Sequence, residues 1–296
     1  MGFLKTLCGV QVRIEGRLLR IARLEADSFQ FLDEPRRMLE KLRGCGARVD
    51  LFTFLQRLPQ ASPLYDFPME WDNLAVLRVT TFEHWWKEQI GFKARNKAKQ
   101  AQKKGVIVCE VPFDEKLVRG IWEVYNESPV RQGRPFAHYG KGLETVYRDE
   151  ATFLESSIFI GAFWEGRLIG FIKLVHDERR IQAGMMNIIS MIGHRDKAPT
   201  NALLAQAVKS CANRSISYLV YSRYTYGNKH RDGIIDFKER NAFEPFNVPR
   251  YYVPLTALGS LSFRFGLHKR FAQRIPEPIL AGLRRIRTKR CAKILK

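Results

Sequence analysis

The chain has 296 residues, with 50 Lys and Arg against 30 Asp and Glu, a formal charge of +20, and 45% hydrophobic residues. That hydrophobic share, with 20 Phe, 10 Tyr and 5 Trp, can fill one large core or two modest ones and excludes a disordered chain. The positive excess points to an anionic partner and does not choose among nucleic acid, anionic lipid and a phosphorylated cofactor.

Cys8, Cys45, Cys109, Cys211 and Cys291 are scattered, odd in number and without a CxxC pair. Free thiols are expected, not a disulfide framework or structural zinc. The histidines show no HxH or HExxH spacing, so no metal is expected. The opening MGFLKTLCGVQVRIEG lacks a signal-peptide core, because Lys5 and Arg13 interrupt its apolar run. Gly2 with Thr6 leaves a myristoylation reading formally open. No window has the length and purity of a membrane span, so the expectation is a cytoplasmic protein, with membrane association left open.

In chain order, Leu18 to Leu24 suits a strand, Pro35 to Leu42 a short helix, and Val49 to Leu58 another short element. Pro59, Pro63 and Pro68 then break regular structure. Leu74 to Val79 reads as a buried strand, and Thr81 can cap a helix starting near Phe82. The next segment, FKARNKAKQAQKKG (92–105), carries six Lys or Arg and no acid. Tied between an aromatic stretch and a β-rich one, it is a positioned anion-binding helix. Arg95, Lys99 and Lys103 fall at i, i+4 and i+8, and with Asn96 and Lys104 they form a candidate phosphate-contacting set. Ala94, Ala98 and Ala101 suit the inward face, and Gly105 suits the C-terminal cap.

Val106 to Val111 returns to strand, and Asp114 to Asn126 has the apolar stripe of a helix. The loop SPVRQGRPFAHYGKG (128–142) carries Arg131, Arg134, His138 and Tyr139, candidate substrate-binding residues on a connection punctuated by Gly and Pro. Phe159 to Trp164 and Leu168 to Val175, joined by Glu165-Gly166-Arg167, read as a tight hairpin. Met185 to Ile192 is a third strand, Thr200 to Cys211 a helix packed on the sheet, and Tyr218 to Tyr221 a further strand. In the loop that follows, YSRYTYGNKHRDG, Tyr224 and Tyr226 are candidates for stacking on a substrate. From Arg264 to Lys296 there are eleven Lys or Arg against one acid, Glu277, as in a basic amphipathic helix or a basic tail.

The order hairpin, strand, helix, strand resembles the acetyltransferase superfamily with the GNAT fold. Two segments narrow the resemblance: WWKEQIGFKARNKAKQAQKKGV (85–106) and GIIDFKERNAFEPF (233–246) look like corresponding segments of FemAB-type peptidyltransferases, with YYVPL (251–255) in the place of the closing strand. The likeness covers roughly 74–255. It implies an α/β fold with a GNAT-like mixed β-sheet flanked by helices. The organisation expected is a truncated N-terminal α/β unit (1–80), the GNAT-like domain (81–258) and a basic C-terminal helix or tail (259–296). The first unit is short for a second complete GNAT-like copy, and the stretch IGHRDKAPTNALL (192–204) lacks the glycine pair of an acetyl-CoA pyrophosphate loop. His194, Arg195 and Lys197, with Thr200 and Asn201 at the helix start, remain suited to holding phosphate, because exposed N–H groups favour anions there.

The resemblance further implies an acyltransferase or aminoacyltransferase that moves a group from a phosphate-containing donor, aminoacyl-tRNA or acyl-CoA, to an amine. Lys238 resembles the basic residue that such enzymes direct to the donor. Asp236 and His230, near the same motif, are candidate bases. The competing readings are an acyl-CoA-dependent N-acetyltransferase of a small amine or peptide, and a non-catalytic protein that binds nucleic acid or a membrane surface on a degenerate GNAT fold. In the last case the basic segment 264–296 makes the anionic contact.

Overall fold

The computed structural model describes residues 2–26, 29–225 and 233–269. The strands are β1 Phe3–Leu7, β2 Val10–Glu15, β3 Ile21–Leu24, β4 Leu51–Leu55, β5 Met69–Arg78, β6 Ile107–Val111, β7 Val130–Arg131, β8 Arg134–Pro135, β9 Ser157–Trp164, β10 Arg167–His176, β11 Gln182–Ser190, β12 Tyr218–Arg223 and β13 Glu244–Pro254. The helices are α1 Pro35–Arg43, α2 Phe82–His84, α3 Phe92–Lys103, α4 Glu115–Asn126, α5 Leu143–Glu150, α6 Pro199–Asn213, α7 Gly233–Arg240 and α8 Ala257–Arg264. Trp85–Gln89 continues α2 as a π-turn, and Ile192–Lys197 forms 3-10 turns before α6. No described helix is long and apolar enough to cross a membrane.

The chain divides into two compact units. The first takes Met1–Ala75, Ser222–Asn228 and Pro245–Pro276. In it β1 and β2 form a hairpin turning on Cys8 and Gly9, both at positive φ. Polar residues alternate along β2, and every residue of β1 is exposed or partly exposed, so the hairpin carries no long apolar run. β2 pairs antiparallel with β3, β3 pairs parallel with β4 across α1, and β4 pairs antiparallel with β13. Met38, Leu39 and Leu42 of α1 pack against Val12, Phe52, Phe54 and Tyr251 as the core. Asp50 is fully buried beneath this layer. Burial alone would raise its pKa. Hydrogen bonds from the Arg20 N–H, the Thr256 hydroxyl and Arg48 outweigh that and hold it below the ordinary carboxylate range.

The second unit takes Val76–Tyr221, Lys229–Glu244 and Glu277–Lys296. Its strands run in the order β6-β9-β10-β11-β12. β6, β9, β10 and β11 pair antiparallel in turn, and β11 pairs parallel with β12 across α6. The β9–β10 hairpin turns on Glu165 and Gly166, both at positive φ, as that sequence requires. β10 is buried along nearly its whole length because α4 and α6 both pack on it. Each fully buried Leu or Ile there contributes about 1.5–3 kcal/mol.

α3 follows the expected helix closely. Ala94, Ala98 and Ala101 are buried. Gly105, at φ 76°, donates to Gln102 O, while the Val106 N–H reaches back to Ala101 O, closing a Schellman motif. Thr81 caps α2 by accepting the His84 N–H at 3.1 Å. α5 and α7 were not expected. Both are only eight residues long, so the apolar sets Leu143, Val146 and Tyr147 of α5 and Ile234, Ile235 and Phe237 of α7 span too little chain to establish a period.

Candidate functional site

β11 and β12 pair only from Gln182 to Gly184, opposite Tyr218 to Val220. β11 then runs on to Ser190 with no further ladder to β12 among the described residues, and Met186 to Ser190 are all partly exposed. Two parallel strands thus splay at their carboxyl ends, leaving backbone N–H and C=O groups along one edge of β11. Such an edge can receive an extended chain through main-chain hydrogen bonds.

Within the second unit two groups adjoin this splay, through Tyr221 of β12 and Ser190 of β11, and a third lies along α3. The first lies on β12 and α7. Lys238 is completely buried, its ammonium 5.1 Å from the centre of the Tyr221 ring. Phe237 and Phe243 pack on the same ring. Asp236, half buried, faces Arg240 at 3.7 Å on the same helix.

The second group joins the loop after α4 to the end of β11. Arg131 donates to Ser190 O at 2.6 Å, to Val124 O at 2.8 Å and to Glu127 Oε2 at 3.2 Å, and it lies over the Phe136 ring. Burial lowers its pKa, partly offset by Glu127. Glu127 in turn accepts the N–H groups of Ile192 and Gly193, each at 2.7 Å. Ser190 Oγ and Thr200 Oγ1 share a 2.8 Å hydrogen bond that ties the strand to the start of α6. His138 stacks on Tyr125 with ring centres 4.3 Å apart, and its pKa is lowered by burial and then by Lys141. Arg134 and Tyr139 are exposed on the same loop.

Below His138 lies a buried polar cluster that the sequence reading missed. Glu150 accepts the Tyr125 hydroxyl at 2.7 Å and the Asn187 amide at 3.0 and 3.2 Å. Lys173 donates to the carbonyls of Glu150 and Thr152, both at 2.7 Å, and to the Thr152 hydroxyl at 3.1 Å. Burial brings the Lys173 pKa down to about 8 against the opposing pull of Glu150, while burial and then Glu150 raise that of Tyr125. A lone Lys in the apolar run FIKLV was the signal for it. A β-bulge between Lys173 and Leu174 sits at the same point. Glu150 and Asn187 carried no comparable signal.

The third group is α3 and the turn before α6. The Gly91 N–H donates to Arg240 O at 2.8 Å, so α3 starts against the end of α7. At its other end Gln100 donates to Asp196 O at 2.7 Å and Lys104 pairs with Asp196 at 2.9 Å. Asn96, Lys99 and Lys103 are exposed. Arg95 is turned inward instead, its guanidinium bonded to the carbonyls of Lys87 and Ile90. His194 packs 5.3 Å from Trp164, and Lys197 lies 4.2 Å over the same ring. Arg195 is exposed, and the Asn201 N–H is turned back to Ala198 O.

Tyr224 lies in the first unit, where its N–H donates to Asn73 O. Tyr226 and His230, like 270–296 of the basic tail, fall outside the described residues. No His, Cys, Asp and Glu cluster able to hold a metal occurs among the described residues.

No family model and no curated protein matches the sequence. Solved structures do. The C-terminal domain of an Agrobacterium fabrum protein assigned as a lysylphosphatidylglycerol synthetase is 14% identical, with 89% of this chain and 87% of that one covered and a TM-score of 0.56. L-PGS from Bacillus licheniformis is likewise 14% identical, covers 88% and 87% and has a TM-score of 0.56. FemX, at 8% identity, covers 89% and 90% with a TM-score of 0.59. The mixed sheet, the crossover helix α6 and these matches together give the chain a GNAT-like fold.

Proposed function

We propose that this protein is a transferase that forms an amide bond, moving an aminoacyl group from aminoacyl-tRNA to an amine. The observation that carries the choice of donor is the pairing of Glu127 with the Ile192 and Gly193 amides. Those N–H groups open the 3-10 turns that precede the expected phosphate position at the start of α6, and a carboxylate of the chain already holds them. The negative charge of Glu127 in that connection disfavours the pyrophosphate of an acyl-CoA donor. The exposed Lys99, Lys103 and Asn96 on α3 instead suit a spread-out polyanion such as an RNA backbone. The similar Agrobacterium fabrum structure, assigned as a lysylphosphatidylglycerol synthetase, carries an aminoacyl group in that name, which supports the same choice.

In this reading the amine nitrogen attacks the ester carbonyl of the donor. The C–N bond forms, the C–O bond to the terminal ribose breaks, and the proton lost by the amine passes to the leaving ribose oxygen. The splayed edge of β11 positions the donor's acyl end, Lys238, buried against Tyr221, stabilises the developing oxyanion through its charge rather than by contact, and Asp236 is the candidate base. The loop bearing Arg134, His138 and Tyr139 faces the acceptor. Transfer of a labelled amino acid from a charged tRNA pool to a panel of primary amines tests this. The product expected is an amide that survives mild alkali, which cleaves the starting ester. Amide formation from acetyl-CoA alone would replace this reading with the acyl-CoA one.

A further inference from the structure

Helix α8 carries its polarity inside out. The residues it turns inward are Gly259 and Ser262, both buried, with Phe263 half buried beside them. The residues it turns outward are Leu258, Leu261 and Phe265, at i, i+3 and i+7, followed by Leu267, and these are 37%, 49%, 67% and 47% exposed. A surface helix ordinarily does the reverse.

The rotation of α8 is fixed by its contacts. Thr256 caps it by accepting the Gly259 N–H at 3.2 Å, and donates its own hydroxyl to the buried Asp50 at 2.8 Å. A Cβ at Gly259 would lie 1.8 Å from Asp50 O, so the helix backbone rests directly on that of Asp50. Phe263 packs against Tyr252 and His268, and Lys269 pairs with Glu70 at 2.8 Å. Rolling the apolar row inward would break all of these contacts. Arg264 is exposed beside Phe265, and from there to Lys296 the sequence carries eleven Lys or Arg against the single acid Glu277.

We propose that the Leu258, Leu261, Phe265 and Leu267 face is a docking surface for an anionic phospholipid bilayer. The apolar side chains enter the headgroup boundary and Arg264 beside them meets the lipid phosphates, while the positive excess of the sequence from 264 to 296 favours an anionic over a neutral surface. A nucleic acid would engage the same positive charge, but three of the four outward side chains, Leu258, Leu261 and Leu267, offer no ring for a base to stack on. This surface is independent of the transfer reaction.

The test is flotation of the full-length protein with vesicles of phosphatidylcholine alone and of phosphatidylcholine with about one third phosphatidylglycerol. Wild type is expected to float with the anionic vesicles and far less with the neutral ones. The double variant Leu261→Ser, Phe265→Ser changes only exposed positions and should melt at the wild-type temperature while its partition coefficient falls about tenfold or more. Arg264→Gln should weaken binding by a smaller factor and lower its salt sensitivity. Wild-type vesicle binding by the double variant, or no vesicle binding together with tight binding to single-stranded RNA, would overturn the proposal.

Discussion

Glu127 and Gly193 are joined by a 2.7 Å hydrogen bond from the backbone N–H of Gly193 to the carboxylate, across 66 residues of sequence. The other carboxylate oxygen takes the Ile192 N–H. One side chain at the end of α4 thereby fixes the turn that leads into α6 and occupies two of its backbone N–H groups. Glu127→Ala should lose about 1.5–3 kcal/mol of stability, as for hydrogen bonds to a charged group. The freed amides should also gain measurable affinity for inorganic pyrophosphate. Urea denaturation and calorimetry read the two effects, and a variant that is destabilised yet gains no anion binding would show that Glu127 is only a strut.

Lys173 gives the protein a pH signature. Its folded-state pKa of about 8 lies below the ordinary lysine value, so between these limits the unfolded chain binds more protons than the folded one. The penalty for burying the charge is full below about pH 8 and is relieved as pH rises. The stability of wild type relative to Lys173→Met should therefore increase by on the order of 2 kcal/mol between about pH 8 and pH 10. Parallel stability curves for the two proteins would mean that Lys173 titrates as it does in water.

Much of the second unit was legible because its elements obey local rules. Glu165-Gly166 demanded a tight hairpin, the alanines of α3 marked its inward face, and Gly105 ended that helix as a glycine at positive φ should. The site was legible only in parts. The loop from Ser128 to Gly142 stood out by composition, and it does meet the end of β11 through Arg131. The partners of Arg95 did not stand out, since helical spacing says which residues share a face but not which of them a neighbouring carbonyl captures. Glu127, Glu150 and Asn187 owe their roles to contacts across dozens of residues, and no local pattern carries such information.

The exposed lysines of α3 should govern the salt dependence of donor binding. Each Lys that neutralises a phosphate adds about 0.7–0.9 to the slope of log K against log salt. Lys99→Ala and Lys103→Ala should each lower that slope by about this amount for tRNA. Neither should change the melting temperature, because both side chains project into solvent. Unchanged slopes would remove α3 from the donor site.

Lys238→Met should leave tRNA binding within a few-fold of wild type, yet slow single-turnover transfer by about 10²- to 10³-fold, the usual consequence of losing one oxyanion stabiliser. Because Lys238 is fully buried against Tyr221, the unfolding midpoint of the variant must be recorded beside its rate. A slow rate that follows only from loss of folded protein would assign Lys238 to the core.

The most direct measurement of the central claim is calorimetric titration of the full-length protein, at about 0.15 M salt, with a charged tRNA pool, with the same pool deacylated, and with acetyl-CoA. The account predicts tighter binding of charged than of deacylated tRNA and no saturable signal from acetyl-CoA. Saturable acetyl-CoA binding without any preference for the charged pool would contradict it.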